Sequence, residues 1–572
     1  MQLTHCCKVG AGPAGLISAL VLAKNGIKPR IVDRDDKFHV GSRGFGIQPR
    51  TFELFQTLGI VEDLKKLATP IPTMRAYKLP GGIEPVKTWD LYEKSEIWPD
   101  RPYANGACLS QAVLEKVIRA HLEKYGVTVE LNKGLIAIEQ DADVVTATIA
   151  IHRSGVPTEE REVVVAKYLI GADGAKGSCR KLLGFTFGGE TRDSDGMVWG
   201  DVEIQGLTND YWHIWGKPGQ FTQVDDHAGR SIMARPLSPS GNTFGIGITG
   251  QNFDPTELAQ RESVISFIRR ETGRGDLEFG EFSWLSYFKP NMRMVNKFHE
   301  GRAFLVGDSA HVHSPTGGQG MNCSVQDASN LGWKLALVIK GLAPPSLLLS
   351  YTEERLPVIA QMLHATTALY THTVAKERPL ETPVKEASEG ENASGWFRWR
   401  NSALEMYGIN YRYSEIVLEQ RDPNDLTKED ALGRAYSGYE GHGNLRAGDR
   451  APDAPGLVAG DGTETSLFGI FKVEKHTVLV FTASGDADNV DLKSDMPDSV
   501  ATHSQIFQIC NEAGTAYQSD VQVLHDRDGH ARGAYFAEAN TTNVVIVRPD
   551  GFVGAIVRDQ DGVRQYFSKI FY

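Results

Sequence analysis

Residues 4–15, Thr4-His5-Cys6-Cys7-Lys8-Val9-Gly10-Ala11-Gly12-Pro13-Ala14-Gly15, decide the fold of this chain. A short strand runs into a glycine turn. An apolar helix over 16–24 follows and stops at Asn25-Gly26, and a second strand, 29–33, ends on Asp33. A helix that ends at a glycine and feeds a β-branched run is what a βαβ crossover requires. Gly10 permits the tight turn, Gly12 lets backbone approach a pyrophosphate, and Gly15 lets the helix pack closely on the strand. The helix start at Pro13-Ala14 presents free amides to the phosphates. Asp33 closes the second strand where a carboxylate accepts hydrogen bonds from a ribose diol, with Arg34 beside it. This unit predicts a dinucleotide site without separating NAD from FAD.

Working outward, the 572 residues suggest about three or four folding units. Hydrophobic residues make up 41% and charged residues 23%, which excludes a disordered or low-complexity chain. Sixty Lys+Arg against 72 Asp+Glu give a formal charge of −12, so nucleic acid is a poor partner. The apolar stretch over 9–22 is broken by Gly10, Gly12, Pro13 and Gly15, with no charged leader or cleavage site, so neither a membrane span nor a secretion signal is expected. Six scattered cysteines without a C-x-x-C pair form no disulfide framework or zinc pattern and fit a reducing, cytoplasmic setting. No metal is expected. The sequons at Asn322, Asn392 and Asn540 read as chance.

The expected fold is α/β: a Rossmann-type nucleotide domain over 1–187 and again over 291–375, interrupted by a mixed or antiparallel β-sheet domain over 188–290. In the first part a helix is expected over 113–125 and antiparallel strands over 144–152 and 162–170. In the second a strand over 303–306 and a long helix over 325–339 are expected, then a helix from 347 to about 374. A connecting segment over 376–444, polar at 376–395, leads past Gly441-His442-Gly443 to a C-terminal α/β unit over 445–572. A second glycine pattern, Gly245-Ile-Gly247-Ile-Thr-Gly250, lacks a following helix and acid; its glycines are expected to keep a sheet face open or mark a bulge.

Two later motifs separate the dinucleotides. The strand at 168–170 enters Gly171-Ala-Asp173-Gly174, followed by Ser178 and Arg180. The strand at 303–306 enters Gly307-Asp308-Ser309-Ala310-His311, then Pro315-Thr-Gly317-Gly318-Gln319-Gly320-Met321-Asn322. Here the sequence resembles the FAD-dependent aromatic hydroxylases (single-component flavin monooxygenases), in the phenol-hydroxylase-like branch with an extra C-terminal domain. The likeness covers essentially the whole chain. Arg43-Gly-Phe-Gly-Ile-Gln-Pro-Arg50-Thr-Phe-Glu53 and Leu109-Ser-Gln111 also match family positions near FAD.

The resemblance implies that Asp33 binds the adenosine ribose and that Arg43 and Gln111 hold the phosphate–ribityl portion. Asp308 would meet the ribitol or phosphate, and Asp173 would serve FAD and the incoming nicotinamide nucleotide. Pro315, Gly318, Gly320, Met321 and Asn322 would bring backbone to the flavin ring, at the positive end of the long helix. His311 is expected to pack behind the site. The implied reaction is hydroxylation of an aromatic ring with NADPH and O2 through a flavin C4a-hydroperoxide. Baeyer–Villiger oxidation and oxidative decarboxylation stay open alternatives, as does a non-catalytic nucleotide-fold binder.

On the substrate side, the acid and tyrosine of the fungal phenol hydroxylases fall at Phe45 and near Gly245. Arg235 is expected to favour a phenolate or carboxylate, Tyr287 to orient it, and the pocket to admit a ring system larger than phenol. The C-terminal unit, with Ala447-Gly-Asp-Arg-Ala-Pro-Asp453, resembles the branch's thioredoxin-like domain. It carries Ala483-Ser-Gly-Asp486 where a redox-active member places C-x-x-C, so a structural role in a homodimer is expected.

Overall fold

In the computed structural model, described residues are 4–373 and 402–572, apart from 92–93, 193–195, 217–229, 239, 251–252, 316, 422–426, 437–444, 482–495, 511–520 and 538–541. Thr316, the 376–395 stretch, Gly441–Gly443, Ala483–Asp486 and the sequons at Asn392 and Asn540 therefore lie outside the described residues.

The nucleotide domain is built on Thr4–Val9, which pairs in parallel with Arg30–Val32 on one side and with the end of Val156–Gly171 on the other. Ala303–Leu305 extends the sheet in parallel beside Val156–Gly171. The two glycine–aspartate motifs thus leave adjacent strands at the same sheet edge as the first glycine turn. The helix Pro13–Lys24 crosses back over this sheet, and Gly320–Ile339 packs against it so closely that a Cβ at Gly332 would lie 2.5 Å from Val21. The long helix starts five residues before the expected position, so Met321 and Asn322 belong to its first turn.

A second sheet has the order Glu278–Phe288, Gly196–Gln205, Thr243–Gly250, Arg230–Pro236, Tyr211–Trp215, Thr73–Tyr77, Pro85–Trp89. It is antiparallel except where Tyr211–Trp215 runs parallel to Thr73–Tyr77. Its last two strands come from 73–89, a stretch the sequence boundaries leave in the nucleotide domain. One face carries Val198, Ile232, Ile246 and Ile248 and is covered by the helix Arg261–Thr272 through Val264, Phe267 and Ile268. The other carries Met74, Met197, Trp212, Ile214 and Met233 and turns toward Phe45 of the nucleotide domain.

The C-terminal sheet runs Leu418–Glu419, Val553–Val557, Asn543–Val547, His476–Phe481, Ser504–Cys510, Gln522–Asp526, Leu457–Ala459, Glu464–Thr465. Its first strand comes from the segment expected to be a connection, so part of that segment is structural. The C-terminal unit locks onto the long helix through a dry charged network. Arg548 binds both oxygens of Glu354 at 2.7 and 2.9 Å and also binds Asp550, Lys334 binds Glu354 at 2.7 Å, and Trp333 donates to Asp550 at 3.1 Å. These charges balance, which is what lets them be buried together. The charges pull the Glu354 carboxyl well below the usual range against the cost of burial.

Candidate active site

Three stretches of backbone meet at the head of the parallel sheet. A Cβ at Gly10, whose φ is +104°, would lie 2.3 Å from the Ala172 carbonyl, so the first turn and the Asp173 turn touch. Gly307, at φ +60°, leaves room only for Ser324 of the long helix and Ala14 of the first. Gly12 differs: nothing lies within 4 Å of its Cβ position, so it faces open space. The first intrahelical bond runs from the Leu16 amide to Gly12, leaving the Ala14 and Gly15 amides free beside that opening. A close turn with an open mouth and free amides fits a pyrophosphate.

Asp33 accepts from the Ala11 amide at 2.7 Å and from Asp35 at 3.0 Å, which braces the turn. Burial raises its carboxyl above the usual range. Arg34 is exposed and lies 3.7 Å from Asp35, outside the turn. Asp173 accepts from the Cys179 amide at 2.9 Å, while its other oxygen is buried without a hydrogen bond among the described residues. Asp308 is solvent-accessible, yet protein walls surround it closely enough that desolvation raises its carboxyl, an effect opposed by His311 and Arg43. Arg43 is exposed on the opposite wall; next to it Gly44 lies between Gln111 and Met321. Gln111 donates to the buried Glu115 at 2.8 Å.

The long helix begins at Gly320 with no side-chain cap, so the amides of Gly320, Met321 and Asn322 precede its first bond, Cys323 to Gln319. Gly317 and Gly318 take φ of +86° and +61°, and Gly318 closes a turn onto Pro315. The Asn322 side chain is fully engaged with backbone: it accepts from Gln48 at 2.9 Å and donates to Gly46 and Gly318. Only its main chain is left for a ligand. His311 is buried behind the turn, 2.7 Å from Asp327, whose same oxygen takes the Gly307 amide while Arg355 holds the other. This Asp327 brace, which ties the Asp308 turn to the long helix, was not singled out in the sequence. An uncapped helix end, an orphaned Asp173 oxygen and an accessible Asp308 together fit a flavin dinucleotide. Arg50 and Glu53 go elsewhere: Arg50 binds the carbonyls of Asp550 and Gly551, and Glu53 pairs with Arg450, so this end of the motif docks the C-terminal unit.

Beyond the Phe45 loop lies the open face of the second sheet. Arg235 is 4% exposed and places its guanidinium 3.8 Å from the Phe45 ring centroid. Among the described residues it donates to the Pro236 carbonyl at 3.4 Å and has no carboxylate within 4.0 Å. Asp201, also buried, shares its face: Asp201 and Arg235 both pair in register with Gly245 on the strand between them. Desolvation raises the Asp201 carboxyl, with Ser42 and Arg235 pulling it back. Ser231 Oγ and Trp212 Nε1 on this face are buried without hydrogen bonds among the described residues, while Ser42 lies against Asp201. Gly247 lies under the Trp199 ring, 2.6 Å from its Cβ position, so it makes room for that ring, while Gly245 leaves the gap between Asp201 and Arg235. Tyr287 does not join it. It pairs with Val198, which puts it on the helix-covered face of an edge strand, and it is 47% exposed. The expected partnership of Arg235 with Tyr287 is corrected: a one-residue difference in strand parity sends a side chain to the other face.

Comparisons with known proteins agree with this geometry. Residues 4–366 match the family model described as FAD binding domain, and residues 471–572 match phenol hydroxylase, C-terminal dimerisation domain. The chain is 30% identical to a flavin-dependent monooxygenase of Mycobacteroides abscessus over 98% of each chain. It is 30% identical to the pentachlorophenol 4-monooxygenase of Sphingobium chlorophenolicum over 83% of this chain and 79% of that one. Among solved structures, aklavinone-11 hydroxylase with FAD and aklavinone superposes with a TM-score of 0.75 at 22% identity, covering 99% of both chains. The chain, an FAD-binding flavin monooxygenase by these matches and by its cleft, belongs to the FAD-dependent aromatic hydroxylase family.

Proposed function

We propose that this protein uses NADPH and O2 to hydroxylate a phenolic ring system larger than phenol. Arg235 carries the reading. A guanidinium buried on an apolar wall with no carboxylate within 4.0 Å among the described residues calls for an electron-rich oxygen from a ligand. When bound, FAD would supply hydride acceptance and oxygen activation. The protein's own residues do the rest. The amides after Gly12 and the side chains of Asp33, Arg43, Gln111, Asp173 and Asp308 would hold the dinucleotide, and the first-turn amides of Gly320–Asn322 would meet its ring. Met74, Met197, Trp212, Ile214 and Met233 wall off water from the reacting face. Arg235 donates to the oxygen of the bound substrate hydroxyl and so eases release of its proton, which enriches the ring in electrons. Pentachlorophenol and aklavinone, named for two relatives, are both phenolic, and the second is polycyclic.

The C-terminal unit reads as a thioredoxin-like domain in a structural role. Support comes from its core order, Val553–Val557, Asn543–Val547, His476–Phe481, Ser504–Cys510, with an antiparallel hairpin on one side and a parallel pair on the other. The dimerisation description of 471–572 supports a homodimer. Six free, buried cysteines support a cytoplasmic setting.

The test is NADPH consumption by the FAD-loaded protein against a panel of mono- and polycyclic phenols, with product masses measured. Gain of one oxygen on an intact ring is the expected result. A lactone, or NADPH oxidation that no phenol stimulates, would contradict it.

A further inference from the structure

The sheet face beside Phe45 holds an opposed donor and acceptor with a gap between them. Asp201, Gly245 and Arg235 sit on three neighbouring strands in one cross-strand row, so the two charged side chains flank a position that has no side chain. A Cβ built at Gly245 would lie 3.4 Å from Nη2 of Arg235, 3.6 Å from Oδ1 of Asp201 and 3.2 Å from Leu237. An atom resting just above that point is within reach of a guanidinium N–H on one side and a carboxylate oxygen on the other. Phe45 covers the guanidinium at 3.8 Å and Trp212 lies 5.8 Å from it, so its plane is fixed by rings. Ser42 lies against Asp201 on this face, and the buried Trp212 indole N–H of the next strand has no partner among the described residues.

We propose that Gly245 floors a subsite for one substrate hydroxyl, which donates to Asp201 and accepts from Arg235. The assignment rests on the aromatic-hydroxylase reading and narrows it. A hydroxyl is the group that satisfies both neighbours. A carboxylate there would face Asp201 with like charge, and an unsubstituted ring edge would leave both charges unpaired. Substrate selection therefore favours a phenol over a benzoate-type acid, although Arg235 alone would accept either. The acid that the fungal phenol hydroxylases carry at the position of Phe45 is replaced in function by Asp201, on the facing sheet.

The test measures binding of β-naphthol, β-naphthoate and naphthalene to the FAD-loaded protein by equilibrium dialysis, with flavin content as the check on folding. The wild type is expected to bind β-naphthol tighter than the other two by about tenfold or more. Gly245→Ala puts a methyl group in the gap and should bring β-naphthol within about threefold of naphthalene, whose own affinity stays put. Asp201→Asn removes the charge without changing shape; it should weaken β-naphthol and strengthen β-naphthoate, an opposite movement that general loosening would not produce. Unchanged selectivity in either folded variant overturns the subsite. So does a wild type that binds the three ligands equally. A wild type that binds none of them overturns the aromatic-substrate reading as well.

Discussion

The guanidinium of Arg235 stacks on the ring of Phe45 at 3.8 Å, joining the substrate sheet to the loop that also carries Arg43. The buried cation is thus steadied by a ring face, with the Asp201 carboxylate set back across the Gly245 gap, and its donors are left for a ligand.

Replacing Arg235 with Met should therefore raise KM for a phenolic substrate by about tenfold or more while FAD content is unchanged. Steady-state kinetics with flavin quantification checks this. A variant that loses flavin as well would mean that Arg235 serves the cofactor.

The two turn glycines separate folding from binding. Gly10→Ala forces a Cβ to 2.3 Å from the Ala172 carbonyl at a φ of +104°, and should abolish soluble folded protein. Gly12→Ala meets no protein atom within 4 Å, so apo-protein Tm should hold while FAD affinity falls sharply. Thermal melts of apo-protein and flavin fluorescence titrations distinguish the two effects.

Glu115 should make the cofactor site pH-sensitive. Burial lifts its carboxyl to about 7, above its unfolded value, against the pull of Gln111 and Arg119. The stabilisation of the protonated form is present at low pH and is lost as pH rises from about 4.3 through about 7. The charge that then appears lies beneath Gln111, so FAD affinity should decline over the same range. Glu115→Gln should flatten that decline in titrations between pH 6 and about 8.5.

Arg548 ties the C-terminal unit to Glu354 of the helix Leu349–Thr373. Arg548→Met leaves Glu354 and Asp550 buried with Lys334 as their main counter-charge, at a cost of about 3–5 kcal/mol, read as a lower denaturation midpoint. Because Glu354 titrates well below its unfolded value, its contribution is present above about pH 4.3 and lost as pH falls below that. The variant should therefore lose part of the wild type's acid sensitivity.

What could be read from the sequence was local. The Gly10–Gly15 turn, Asp173, Asp308 and the Pro315–Asn322 run each sit at a strand end, where neighbouring residues dictate the backbone, and the strands bring them together. What depends on register could not be read. Asp201 is one of two acids in the strand Gly196–Gln205 until Gly245 is known to lie beside it. Tyr287 was assigned to the wrong face for the same reason, and strands 73–89 join a sheet whose other members lie more than a hundred residues away. The long helix begins early because Asn322, a poor interior residue, is held in its first turn by hydrogen bonds with Gly46 and Gln48. Arg50 and Glu53 were placed near the cofactor because they follow Arg43 in sequence, yet their helix turns them onto residues some four to five hundred positions away.

The most direct measurement is a fluorescence titration of apo-protein with FAD, run beside Asp308→Ala. Saturation at one FAD per chain, with affinity weakened by about tenfold or more in the variant, is the expected result. No flavin uptake by the wild type, or equal affinity in the two proteins, would contradict a cleft built from these three turns.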